Sequence, residues 1–266
     1  MDQIMTWQLK LNWVRRLVGT AIAFSSFGIG GSLLGLFFPL MNMATPITRR
    51  QQQARKIIHW VFYQFLCWMR FLGIMQWQIE GQHLLGRPGQ LVIANHPSLL
   101  DVVFMMAHIN EPNCVVKGSL WRNPCMVGPV TAAGFIPNHS SEQMVLDGVN
   151  ALQNGDCLII FPEGTRTTPG QSLQFHRGAA TIAIKGARVL TPVLITVSPT
   201  TLTKNEKWYK IPPRRFVMTL KVLDDIDLSH YRQAHSDPIA ARRLNSDLTA
   251  LYTQELNRGQ HADQRN

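Results

Sequence analysis

Charge is scarce in this sequence. Of its 266 residues only 16% are Asp, Glu, Lys or Arg, against about 25% in ordinary soluble domains, which excludes a chain kept unfolded by self-repulsion. Carboxylates are rarer still at the start, where positions 1–79 hold Asp2 alone against eight Lys and Arg. Cysteine is sparse too: Cys67, Cys114, Cys125 and Cys157 make no C-x-x-C pair. That spacing excludes a zinc ribbon or a disulfide scaffold and reads as buried, reduced thiols in a reducing compartment. Internal repeats and low-complexity segments are absent. The net charge of +10 is lopsided, with +7 in the first 79 residues and an ordinary eighteen basic to fifteen acidic afterwards. A basic excess confined to the neighbourhood of apolar segments points to anionic lipid and away from nucleic acid.

What the chain does have is apolar sequence, 45% by composition, and length enough for a sizeable core. Residues 17–43 run uncharged, about 40 Å as a helix and more than a bilayer core of about 30 Å requires. The run is too long and too late for a cleaved signal peptide. Basic residues flank both ends (Lys10, Arg15, Arg16; Arg49, Arg50, Arg55, Lys56), and the positive-inside rule puts both in the cytoplasm. Gly28, Gly30, Gly31, Gly35 and Pro39 offer places for the helix to break. A simple span and a re-entrant, single-leaflet hairpin both fit. A second apolar run, 57–75, carries His59, Tyr63, Cys67 and Arg70 at helical spacing. It suits a helix lying in the interface with Arg70 snorkelling to the headgroups, or else a core helix packed on the first segment. Five of seven tryptophans (7, 13, 60, 68 and 77) fall in this region, as an interfacial belt requires.

From residue 80 short apolar runs alternate with helical patterns. Strands are expected at 91–94, 114–116, 157–161, 189–197 and 216–222, and helices at 140–153 (capped by Ser140 with Gln143), 179–185 and 238–256. The expectation is an α/β fold, with a mixed, largely parallel sheet flanked by helices and preceded by an N-terminal membrane-embedded helical motif. The expected divisions are 1–79, a membrane-associated helical region; 80–258, the α/β domain; and 259–266, a polar tail.

Chemistry on such a sheet belongs at the carboxyl ends of the strands. Directly after the first strand comes Asn95-His96-Pro97-Ser98-Leu99-Leu100-Asp101. There Asp101 can fold back to fix the tautomer of His96 and leave Nε2 as a base. Ser98 lacks the surroundings of a nucleophile. Directly after the strand at 157–161 comes Pro162-Glu163-Gly164-Thr165-Arg166, in which a glycine admits close backbone approach and an arginine offers a fork for phosphate.

Together these blocks resemble the glycerolipid acyltransferases of the 1-acylglycerol-3-phosphate (lysophosphatidic acid) acyltransferase type. NHPSLLD is similar to that family's N-H-x4-D block and FPEGTR to its F-P-E-G-T-R block. Lys117-Gly118-Ser119-Leu120 with Pro124, Phe175-His176-Arg177-Gly178-Ala179 and Thr191-Pro192-Val193 resemble further blocks in the same order, over residues 80–222. The resemblance implies transfer of an acyl chain from acyl-CoA or acyl carrier protein, as co-substrate, to a lipid hydroxyl. It implies no cofactor and no metal, membrane lipids as partners, and a site facing the cytoplasm from a bacterial inner membrane. His96 would be the general base and Asp101 its orienting partner. Glu163, Gly164, Thr165 and Arg166 would hold the acceptor headgroup, with Lys117 as a second phosphate contact. One departure stands out: Asn138 occupies the place of an arginine in phosphate-reading members, and an amide supplies no charge-assisted fork. Either Lys117, His139 and Arg166 hold a phosphate, or the acceptor is a different lipid or other hydroxylated molecule. A basic aromatic stretch, Lys204, Lys207, Trp208, Tyr209, Lys210, Arg214 and Arg215, reads as a solvated loop or as a dock for headgroups or an acidic carrier. Two rivals stand. A catalytically silent lipid-binding relative would have no use for His96 and Asp101, and a metal hydrolase lacks a second histidine at ligand spacing.

Overall fold

A computed structural model describes residues 2–168, 171–234 and 236–263. The uncharged run forms one unbroken helix, α1 (Asp2–Ala44), about 65 Å long. Its stretch Lys10–Ala44 is long and apolar enough to cross a membrane, and little of it is covered by the rest of the chain. The glycines and Pro39 do not break it; the turn comes later, at Thr45-Pro46, where α2 (Ile47–Phe71) begins. The glycines serve a different purpose. A Cβ on Gly31 would collide with the Cys125 carbonyl, and one on Gly128 with the backbone of Gly35, whereas Gly28 and Gly30 face open space. Glycine therefore lets the loop and short helix after residue 122 approach the α1 backbone.

The second apolar run is cut short. Gly73, in the left-handed region at φ 72, ends α2 with its N–H on Arg70 O (3.0 Å) and that of Ile74 on Met69 O (3.1 Å), a Schellman ending. Met75 then opens β1 (Met75–Glu80). The sheet thus begins ahead of the 79/80 boundary expected from the apolar patterning. α2 buries Ile58, Phe62, Leu66 and Met69, stacks Phe62 and Phe65 on Phe27 of α1, and joins His59 Nδ1 to Met106 O at 2.9 Å. It is a core helix packed on the first segment, and Arg70 sits over the Trp77 ring at 5.2 Å. Arg55, 5% exposed, pairs with Asp156 at 2.7 Å and donates to Ala133 O, riveting α2 to the domain.

The remaining elements are β2 (Gln90–Ala94), α3 (Asp101–His108), β3 (Asn113–Val116), α4 (Val127–Ala132), β4 (Ile136–Pro137), α5 (Ser141–Gln153), β5 (Leu158–Ile160), α6 (Arg177–Gly186), β6 (Val189–Ser198), β7 (Phe216–Val222), α7 (Ser229–Ala234) and α8 (Asp237–Asp263). Ser140 caps α5, its Oγ 3.5 Å from Gln143 N. α8 runs through most of the expected tail, of which residues 264–266 lie outside the described residues. The strands order as β1-β7-β6-β2-β5-β3-β4, parallel except for β6–β7. β2 is buried on both faces because alternate residues enter different cores. Val92 and Ala94 join the cluster holding α2 and α3, and Leu91 and Ile93 join that of α5, α6 and α8.

The glycine contacts make a paired test. Gly31→Ala should separate α4 from α1 and lower the melting temperature, whereas Gly28→Ala should leave it equal or raise it slightly, since alanine is the better helix former by about 1 kcal/mol. Equal melting temperatures for both variants in detergent would refute the close approach.

Candidate active site

Sheet register brings the two blocks together. Ile93 of β2 pairs with Ile160 of β5, so the residues three further on, His96 and Glu163, leave neighbouring strands side by side. The His96 backbone N–H donates to Glu163 Oε1 at 2.9 Å, and Thr167 N–H returns to His96 O at 2.8 Å. His96 Nδ1 lies 2.7 Å from Asp101 Oδ2, the same oxygen that accepts Ser98 N–H at 2.7 Å. An ionised Asp101 offers only acceptors, so Nδ1 carries the proton and Nε2 keeps its lone pair. Asp101 has no exposed surface and opens α3, where the partial positive charge of the helix N-terminus favours a carboxylate. Burial nonetheless pushes its carboxyl above the usual carboxylate range, against the opposing pull of His96, Ser98 N–H and Arg166. His96 itself is partly accessible, its ring against Phe161 with centroids 4.6 Å apart.

The second block divides its labour in a way the sequence reading missed. Glu163, expected to hold the acceptor, is turned inward: it is 8% exposed and both its oxygens are engaged, by His96 N–H and by the hydroxyl of Thr167. Burial raises its pKa as well. It fixes the His96 backbone. Gly164 and Thr165 are exposed. Gly164 at φ 65 turns the chain, and a Cβ there would press on the ring of His176 at 3.3 Å. Arg166 is half-buried and donates from Nη1 to the carbonyls of Leu202 and Thr203, 2.9 Å each. The rest of its guanidinium fork makes no hydrogen bond to the described residues.

Lys117 and Asn138 follow β3 and β4, whose ends are paired through Val116 and Pro137. With strands about 4.8 Å apart, Lys117 leaves the sheet about 10 Å from His96, and Asn138 one strand beyond. Lys117 is exposed. The Asn138 side-chain oxygen accepts Gly118 N–H at 3.0 Å, fixing the turn after Lys117, and the His139 ring covers Gly118 so closely that no Cβ fits there. Asn95 was quoted in the motif without a role. Its amide pairs with the Ile195 peptide in both directions (2.8 and 2.7 Å), prolonging the β2–β6 ladder by one side chain. Next to it the buried Tyr252 hydroxyl donates to Ile93 O at 2.5 Å and accepts Val193 N–H at 3.0 Å. The first block thus leaves the sheet from a rigid base.

A family model described as acyltransferase matches residues 76–196. Over that stretch the chain is similar to the acyltransferase family. Its matched residues run from β1 into β6, so β7 and the segment before it lie beyond the match. The 1-acyl-sn-glycerol-3-phosphate acyltransferase of Saccharomyces cerevisiae is 28% identical over 176 residues, 62% of this chain and 57% of that one. The Pseudomonas aeruginosa protein of the same name is 23% identical over 137 residues, 49% of this chain and 53% of that one. The chain therefore spans little more than half the length of these curated relatives. The crystal structure of the 1-acyl-sn-glycerophosphate (LPA) acyltransferase PlsC from Thermotoga maritima superposes with a TM-score of 0.70 at 20% identity, over 92% of this chain and 97% of that one. At that identity the likeness shows a shared fold, which takes in the α/β domain and the N-terminal helices alike.

Asp101 gives a prediction in which activity and stability part. Its folded-state pKa lies above the unfolded one, so folding takes up a proton between the two. Stability therefore falls as pH rises through that window and stays lower above it. The neutral Asp101→Asn escapes this penalty. It should melt at or above the wild-type temperature at pH 8, and where His96 serves as a general base its turnover should drop by roughly 10²–10⁴-fold, as read by thermal unfolding beside a thiol-release assay. A strongly destabilised Asp101→Asn would contradict this assignment.

Proposed function

We propose that the protein moves an acyl chain from the thioester of acyl-CoA or acyl carrier protein to the hydroxyl of lysophosphatidic acid or a related lysolipid. The contact of His96 with Asp101 carries this reading: it occupies Nδ1 and leaves Nε2, the ring nitrogen not bonded to the carboxylate, on a partly accessible imidazole at the end of β2. In the proposed step Nε2 takes the acceptor's hydroxyl proton as its oxygen attacks the thioester carbonyl. The C–O bond forms, the C–S bond breaks, and the departing thiolate recovers the proton from the imidazolium, which Asp101 has stabilised. No acyl-enzyme is required, because a thioester is already activated, and general-base help of about 10²–10⁴-fold suffices once the reactants are aligned. Thr165, the outer part of Arg166 and Lys117 would hold the acceptor's headgroup, with Gly164 letting it approach the backbone.

The proposal extends to a membrane, with the site facing the cytoplasm of a bacterial cell. One side of α1 is strongly apolar and open: Ile29 is 62% exposed, Leu33 60%, Leu36 72% and Leu40 67%. Its other side touches the α/β domain from Arg16 to Gly35, so a perpendicular span would drag polar loops into hydrocarbon. That geometry favours the single-leaflet arrangement, with α1 laid into one face of the bilayer by its open side. A second reading, an acceptor without a phosphate monoester, is favoured by Asn138, whose carbonyl oxygen is engaged by Gly118.

The test is thiol release from an acyl thioester on purified protein, with lysophosphatidic acid, a lysophospholipid bearing a phosphodiester headgroup, and a neutral hydroxylated lipid as acceptors. Release matched by a product with one more acyl chain, and lost by at least about 10²-fold in His96→Ala, is the expected result. Undiminished turnover in His96→Ala refutes the mechanism. Equal turnover of lysophosphatidic acid and the other acceptors refutes the second reading.

A further inference from the structure

The segment between β6 and β7 lies largely beyond the family match, yet it touches both catalytic loops. The carbonyl of Leu202 accepts Arg166 Nη1 at 2.9 Å and, from the other block, Leu99 N–H at 3.0 Å. Leu202 stands at φ 55, an uncommon left-handed conformation for leucine, with its side chain buried in the core. Such a residue persists only where its surroundings over-determine it. Thr203 supplies the second carbonyl to Arg166 and is itself held by Glu206, its N–H 3.1 Å and its hydroxyl 3.3 Å from Oε2.

Beyond this anchor, residues 204–215 carry Lys204, Lys207, Lys210, Arg214 and Arg215 against Glu206 alone, and all five cations are exposed. The stretch is fastened to α1 where charge gives way to apolar sequence: Trp208 packs on Phe24 with centroids 6.0 Å apart, and Arg16 Nη2 donates to Pro213 O at 2.7 Å. Trp208 and Tyr209 remain 43% and 48% exposed. Half-exposed aromatics among cations, level with the end of an apolar helix, have the composition of a membrane–water interface.

We infer that residues 199–215 form an electrostatic strap: its cations lie on anionic lipid headgroups, and the carbonyls of Leu202 and Thr203 transmit that docking to Arg166 and to the His96 loop. The inference rests on the membrane-bound reading above and adds to it a partner and a coupling. An acidic carrier protein would meet the same charges, but the apolar anchoring on α1 and the exposed Trp208 favour a lipid surface.

Hydrogen–deuterium exchange on the full chain reconstituted in vesicles tests it, using phosphatidylcholine alone or with roughly a third phosphatidylglycerol. Amides 203–215, and with them Leu99 N–H, should exchange several-fold more slowly on the anionic vesicles. High salt should remove the difference, and so should the triple variant Lys204→Gln, Arg214→Gln, Arg215→Gln. Equal exchange on both surfaces overturns the inference whether or not the chain transfers an acyl group. Slowing of the loop without Leu99 overturns the coupling. Slowing by an added acidic carrier protein, with none by anionic lipid, overturns the lipid assignment in favour of protein docking. If the acyltransferase reading alone fails, the protection persists and no thiol is released.

Discussion

One buried carboxylate organises the end of the sheet that carries both motifs. Asp101 has no contact with solvent, and a single oxygen of it receives both the Ser98 N–H and the His96 ring proton. Holding a charge out of water is unfavourable, and the fold offsets this in three ways. The N-terminus of α3 supplies a positive dipole end, two N–H donors converge on Oδ2, and Arg166 stands close enough to pull the carboxyl pKa down. The arrangement serves an imidazole that must present Nε2 in a fixed direction. Glu163, the second buried carboxylate, holds the His96 backbone from the neighbouring strand. Burial raises the pKa of both carboxyls, and each is held by hydrogen bonds to the segment that bears His96.

The same economy of contact governs the attachment of the helical hairpin. α1 meets the α/β domain through backbone, Gly31 against the Cys125 carbonyl and Gly35 against Gly128, where a methyl group on Gly31 or Gly128 would already be too large, and α2 meets it through the buried pair of Arg55 and Asp156. One contact is close because there is no side chain; the other is specific because an unpaired buried arginine would be costly, by about 3–5 kcal/mol. Together they set the orientation of an apolar helix relative to the strand ends that carry His96 and Glu163, which a flexible tether could not do. The segment 199–215 closes the circuit, bonded to α1 at one end and to both motif blocks at the other. The open face of α1 and the strand ends therefore belong to one mechanically continuous surface.

How much of this was legible differs from element to element. The strands at 216–222 and 189–197 emerge within a residue of expectation, because sheet-buried β-branched runs bounded by turns have few other uses. β1 was hidden: Met75, Trp77 and Ile79 alternate with polar residues, but they adjoin the helical run and were absorbed into it. The glycines of α1 were read as break points, since a sequence shows that a side chain is missing but not what fills its place. His96 and Asp101 could be paired in advance because five residues across a helix N-terminus confine both. The inward turn of Glu163 could not, because its partners Thr167 and the His96 peptide come together only through the register of β2 and β5.

Composition and pattern alone determined that an apolar, basic N-terminal region precedes an α/β domain with its polar motifs at strand ends, since burial of apolar surface and the two periodicities of backbone structure act locally along the chain. Tertiary structure alone decided which motif side chains stay open and which brace the loops, that Asn95 serves as an extra rung of the β2–β6 ladder, and that Leu202 joins two motifs about a hundred and about forty residues away. Those choices depend on strand order and register, which place distant residues within hydrogen-bond reach and leave no trace in the spacing of either partner.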